Sequence, residues 1–223
     1  PLLAQHDVLL DLHSFSGKGV SFVMVGPENN TSELEPFGYA AEEESLALHL
    51  GVHRFVDGWL DTYARGMAQR RRKLNNMADE LAWQNADPQF GVGTTEYMRS
   101  VGGYALTLEC GPHQDTQAPQ IAYQAILNTL RQLGILAGDK PTIVTQREAL
   151  RIYEVIDKTH PDDSFSRDWA SFDSLIKGDL IGTRFDGSAV IAEMDGYIVF
   201  PDVNAAAGEE WFYLAKHNPR FYV

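Results

Sequence analysis

Two places in this 223-residue chain hold residue types that can do chemistry together. The first is the apolar run His6 to Ser14 (HDVLLDLHS), which ends in Asp11 and His13. The second is Tyr104 to Cys110 (YALTLEC), which ends in a lone carboxylate, Glu109. Side chains alternate faces along a strand, so Asp11 and His13 point the same way and Leu10 and Leu12 the other. A neutral imidazole ligates zinc well and a nearby carboxylate orients it, although a histidine here could equally be a hydrogen-bonded loop residue. Glu109 offers the same choice between a general base with a tuned pKa and an ion-pair partner at a strand end. Ligands of open α/β sheets bind beyond the carboxyl ends of the strands, so Ser14 to Gly17 reads as a loop lining such a site.

Other reactive residues have plainer readings beside the functional ones. His49 and His53 are four apart and would share a face of a continuous helix, but Gly51 between them is expected to end it. His113, just past Glu109, either lines the pocket or is structural. Cys110 has no basic neighbour to activate it and reads as a small buried hydrophobe. Gly17-Lys18-Gly19 lacks the frame of a phosphate loop, and Asn29-Asn30-Thr31 is a glycosylation sequon with nothing else to suggest secretion. Trp211, Phe212 and Tyr213 read as core.

The elements that must position these groups alternate. After the first strand comes Val20 to Val25, then the polar stretch Glu28 to Glu35, read as a loop on the active-site side. A helix over Tyr39 to Leu50 follows, with Glu42, Glu43 and Glu44 early and Leu46, Ala47 and Leu50 on its apolar face. Val52 to Val56 reads as a strand and Leu60 to Trp83 as a long helical stretch, with Arg70, Arg71, Arg72 and Lys73 as a solvated face. Asn85 to Thr95 reads as loop. Thr116 to Leu136 is a helix with Ile121, Ala125, Ile126, Leu130 and Leu133 on one face. This alternation predicts a doubly wound α/β layer. From Ala149 onward only short strands appear, with Asp186-Gly187 and Asp195-Gly196 as hairpin turns, which predicts a separate all-β module. The expected boundary divides 1–140 from 141–223.

Composition narrows the partners. A formal net charge of -13 argues against nucleic acid and anionic membranes and favours a small-molecule partner, with a homo-oligomer left open. A chain that is 44% hydrophobic can bury a sizeable core, and its single cysteine fits a cytoplasmic location. No apolar run approaches a membrane span and no signal pattern opens the chain.

Taken together, Asp11-Leu12-His13-Ser14, Arg99 ten residues before Glu109 in YALTLECGP, and Asp195-Gly196-Tyr197 with Trp211-Phe212-Tyr213 resemble the succinylglutamate desuccinylase/aspartoacylase family of zinc deacylases. The resemblance implies a zinc-carboxypeptidase-like α/β fold, with a mixed, mostly parallel sheet, flanking helices and a small all-β C-terminal domain bordering the active-site mouth. It implies one zinc site with His13 as the last of three protein ligands, Glu109 as general base on the attacking water, and Arg99 as the grip on the substrate's carboxylate. Asp11 and Ser14 would support the imidazole. The reaction implied is hydrolysis of the amide of an N-acyl amino acid. Zinc with three protein ligands keeps an open position, and a guanidinium can hold a carboxylate bidentately. The family's upstream His-x-x-Glu ligand pair and Asn-Arg substrate pair do not precede His13. The expectation is therefore a chain lacking the amino-terminal part of a catalytic domain, inactive on its own. Two alternatives stand beside it. One is a non-catalytic protein that keeps the fold and binds a carboxylate or a protein partner, and the other is a different hydrolase using His49 and His53.

Overall fold

A computed structural model describes residues 2–74 and 87–221. The two apolar runs form β1 (Val8–Phe15) and β4 (Tyr104–Pro112), which pair in parallel with Asp11 opposite Thr107 and His13 opposite Glu109. β2 (Phe22–Met24) runs antiparallel to β4, with Phe22 opposite Glu109. β3 (Arg54–Asp57) is parallel to β2, and β5 (Glu148–Asp157) is parallel to β3. The sheet is thus mixed, because β1 and β4 point one way and β2, β3 and β5 the other.

The helices lie on its two faces. Leu106, Leu108 and Cys110 of β4 join Val23, Phe55 and Ala149 beneath α1 (Ala40–Ala47) and α4 (Ala118–Gln132), through Leu46, Ala47, Ala118 and Ala125. The alternate residues Phe22, Val56, Leu150 and Ile152 face α2 (Trp59–Leu74), with Trp59 packed against them. α4 is rotated from the face expected of it, since Ile126 is exposed while Ala118, Ala125, Asn128 and Thr129 are buried. α1 stops at Ala47, and Gly51 follows with a φ of +100° that disfavours other residues. The expected basic face of α2 is pinned in part, because Arg70 donates to Asp157 and Glu210. The remainder of the stretch expected as helix, from 75 to 83, lies outside the described residues. Residues 94–95, expected as loop, instead open α3 (Thr94–Ser100), where the Glu96 carboxylate reaches back to accept from the Gly93 N–H at 3.0 Å.

The strands after residue 141 are divided between two sheets. β11 (Glu210–His217) pairs with β5, β10 (Gly196–Val199) with β11, and β7 (Ser174–Leu175) with β10, completing one sheet in the order β1-β4-β2-β3-β5-β11-β10-β7. Only β6 (Ser164–Phe165), β8 (Leu180–Thr183) and β9 (Ala189–Ile191) stand apart as a second sheet. The turn at Asp186-Gly187 joins the antiparallel pair β8 and β9 as expected. Asp195-Gly196 does not make a hairpin, because β9 and β10 belong to different sheets. Trp211, Phe212 and Tyr213 are buried in this seam. Among the described residues, no helix is long and apolar enough to cross a membrane.

Leu150, 1% exposed, sits where the two halves of the large sheet meet. Leu150→Ala should cost roughly 2–5 kcal/mol. Because the sheet is continuous, amide hydrogen exchange should show β4 and β11 losing the same opening free energy; loss confined to β11 would indicate two independently stable units.

Candidate active site

Alternation along β1 and β4 places Asp11, His13, Thr107 and Glu109 on one face of the sheet. That face forms the floor of a cavity of about 350 Å³. The cavity lies over the sheet rather than beyond a common row of strand tips. Its walls are α3 with Thr94, Thr95, Glu96 and Arg99, the start of α2 with Trp59 and Leu60, and the loop after β2 with Pro27 and Glu35. Arg151 on β5 reaches its rim and is held by Asp57 at 3.2 Å and Asp61 at 3.3 Å.

At the floor, His13 Nε2 lies 3.2 Å from Asp11 and its Nδ1 lies 4.0 Å from Glu109. Thr94 donates its hydroxyl to the other Asp11 oxygen, so the carboxylate that orients the imidazole is itself held from α3. Glu109 is buried, and among the described residues its Oε2 has no hydrogen-bond partner. Burial pushes the Glu109 carboxyl above its ordinary range; His13 opposes the shift and Asp11 adds to it. A buried carboxyl with one oxygen unused and an elevated pKa has the properties of a proton acceptor awaiting a water or a ligand N–H.

Arg99 reaches the same cavity by a different route. Its guanidinium is 4% exposed and is bound by Glu43 through Nε at 2.9 Å and Nη2 at 3.3 Å, and by the Ala105 carbonyl at 2.6 Å. Nη1 donates to Glu35 at 2.8 Å. Gly26 lies flat against this group, and a Cβ there would stand 2.2 Å from Arg99 Nε. Ser14 is set apart from the cavity; it points to the opposite face of β1 and hydrogen-bonds His113 at 2.8 Å.

Sequence reasoning did not single out Glu35, Thr94 or Glu96, and counted Glu43 only as part of an acidic helix start. The one available signal was spacing: Gly93 followed three residues later by Glu96 marks a helix start. The long-range pairings of Glu35 and Glu43 have no local trace.

A zinc site takes three or four protein ligands, and here the cavity supplies one imidazole. Among the described residues no group of three or more His, Cys, Asp or Glu side chains is placed to hold a metal ion. His49 and His53 are likewise separate, bonded to the carbonyls of Ser45 and Gln146. The described residues alone therefore do not compose the implied zinc site. Cys110 is buried and its thiol is pushed up to about 11, as expected of an inert side chain.

No family model matches the chain, and no curated protein sequence does. Solved structures do match, and they give the fold class as a mixed-sheet α/β fold. A succinylglutamate desuccinylase/aspartoacylase from Rhodobacter sphaeroides superimposes with a TM-score of 0.65 at 14% identity, over 97% of this chain and 60% of that one. The product-bound ectoine utilization protein EutE (DoeB) from Ruegeria pomeroyi gives 0.60 at 17%, over 96% and 60%. A succinylglutamate desuccinylase from Vibrio parahaemolyticus gives 0.59 at 16%, over 96% and 54%. The fold is that of structures from the succinylglutamate desuccinylase/aspartoacylase family, and the chain spans about 60% of the length of the Rhodobacter one.

The three floor groups make a quantitative expectation for titration. Replacing His13 by Gln removes the charge that favours the Glu109 anion, so the Glu109 pKa should rise further, whereas Asp11→Asn should lower it. Carboxyl carbon NMR titration reads both shifts directly. The sign for stability follows: a carboxyl raised on folding stabilises the fold fully below its ordinary value near 4.5 and loses that contribution as pH rises through the raised one. Glu109→Gln should accordingly raise the melting temperature at pH 8.

Proposed function

We propose that this chain carries the general base and ligand cavity of a deacylase that hydrolyses the amide of an N-acyl amino acid or a similar small molecule. The observation that carries the reading is the meeting of His13 and Glu109 on the floor of one cavity, 4.0 Å apart although 96 residues separate them in the chain. Glu109 would take a proton from the attacking water and deliver it to the leaving amine nitrogen, and its raised pKa suits both transfers. Asp11 fixes the imidazole of His13 beside the reacting atoms. Arg99, which lines the cavity, would meet the ligand's carboxylate through Nη1, the end not taken by Glu43 and Ala105. In this reading His13 would contribute one ligand to a zinc site whose other donors the described residues do not contain, and the metal, when bound, would supply polarisation of the acyl carbonyl.

The incomplete ligand set favours a second reading, in which the same cavity binds a carboxylate and performs no turnover. Amine release from a panel of N-acyl amino acids, with zinc supplied, separates the two. Turnover that falls about 10²- to 10⁴-fold in Glu109→Gln supports the deacylase. Saturable binding of the same compounds without amine release, in wild type and variant alike, establishes the binding protein instead.

A further inference from the structure

The Arg99 guanidinium has five donor hydrogens, and the protein uses its inner edge completely. Glu43 takes Nε and shares Nη2 with the Ala105 carbonyl, while Phe37 covers one face with its ring centroid 5.6 Å away. These partners are buried and hold the group in place whatever happens at the other edge. Nη1 is the end that neither Glu43 nor the Ala105 carbonyl takes. There it meets Glu35 Oε1 at 2.8 Å, with Glu96 farther off at 3.7 Å.

Glu35 differs from Glu43 in how it is mounted. It belongs to the connection between β2 and α1, a stretch without helix or strand, closed by the bridge between Asn30 and Phe37. Among the described residues its backbone N–H donates to the Ser32 hydroxyl at 3.2 Å. Its side chain borders both the active-site cavity and a neighbouring one of about 610 Å³ that opens beside Asp57, Asp61, Arg151 and Arg220. A carboxylate leaving Arg99 thus has an open space beside two other arginines to enter.

We propose that Glu35 is a built-in carboxylate occupying the place on Arg99 Nη1 that an anionic ligand's carboxylate would take, so that ligand binding requires Glu35 to move aside. This rests on the reading of Arg99 as the ligand's carboxylate grip, and it adds a competitor supplied by the chain itself. The competition depends on charge. Burial pushes the Glu35 carboxyl up to about 7, with Arg99 working against that shift and Glu96 and Glu43 adding to it. A Glu35 that picks up a proton near neutrality holds Arg99 less tightly, so the cavity opens to anions on the acidic side of that value. The groups facing Glu35 are Arg99 and Glu96 of α3, Glu43 of α1, and, across the second cavity, Asp57 of β3, Asp61 of α2, Arg151 of β5 and Arg220.

The test uses N-acetylglycine, whose only charge is its carboxylate, and neutral N-acetylglycinamide, with binding followed by NMR shift titration of the whole chain. Glu35→Gln keeps the size and an acceptor but removes the charge; at pH 8 it should bind N-acetylglycine about ten- to a hundredfold more tightly than wild type. The amide should show no gain. Wild type should also bind N-acetylglycine more tightly as pH falls from 8 to 6, and Glu35→Gln should show a smaller pH dependence over that range. Glu35→Ala serves as a second variant, and melting curves check that both remain folded. An unchanged affinity in the variants, an equal gain for the amide, or no binding by the variants at all overturns the proposal. The result is independent of turnover. Tighter binding without amine release would sink the deacylase reading and leave the competitor standing, and amine release with unchanged affinity would do the reverse.

Discussion

The site depends on one buried ion pair. Glu43, with no exposed surface, accepts from Gly26 N–H at 2.5 Å, Ala105 N–H at 3.0 Å and two nitrogens of Arg99. Through that single carboxylate, helix α1 is tied to the end of β2, the start of β4 and helix α3. Taking two charges out of water costs several kcal/mol per ion, and only a saturated set of hydrogen bonds offsets it. Saturation is what the geometry shows, and it explains why a glycine stands at position 26: any larger residue would meet the guanidinium. The pair is better understood as fixing one arrangement of four elements than as a net source of stability.

That arrangement sets the character of the cavity. With Glu43 holding the inner edge of Arg99, the wall still contains Glu35 and Glu96, and the floor contains Asp11 and Glu109. One guanidinium therefore answers to more than one carboxylate, and burial with like-charge repulsion raises both Glu35 and Glu109 above their ordinary values. A cavity built this way does not attract an anion by excess positive charge. It presents one fixed guanidinium and keeps a separate protonatable group at the floor, and the two remain apart because Arg99 and Glu109 are mounted on different elements.

Much of this was legible in the sequence where the signal is local. The runs around Asp11 and Glu109 declare themselves as strands by their apolar residues, and alternation puts Asp11 with His13 before any coordinates are known. Gly51 takes the positive φ that its type allows, although the helix before it already ends at Ala47. Legibility stops where partners are distant. The three glutamates at 42 to 44 look alike in sequence, yet only Glu43 turns inward to meet an arginine 56 positions later. α3 is a seven-residue helix opened by two threonines, too short for periodicity to register. The late strands read as a separate module because short strands and glycine turns carry no record of which sheet they join. β5 happens to align parallel to β3, and that pairing, invisible locally, makes the large sheet continuous.

The placement of His13 and Glu109 follows from register more than from either residue. β1 and β4 are parallel and in step from Val8 opposite Tyr104 to His13 opposite Glu109, and the pairing slips only afterwards, before Phe15 meets Pro112. A shift of one residue in that ladder would send every side chain of one strand to the other face and put the imidazole among Leu106, Leu108 and Cys110. The buried leucines forbid it, because the shift would bring Asp11 and His13 into an apolar layer with no partners. Core packing on one face therefore specifies chemistry on the other. The bulge that follows His13 then releases the chain from the ladder, so Ser14 and His113 pair with each other and leave the imidazole to Asp11.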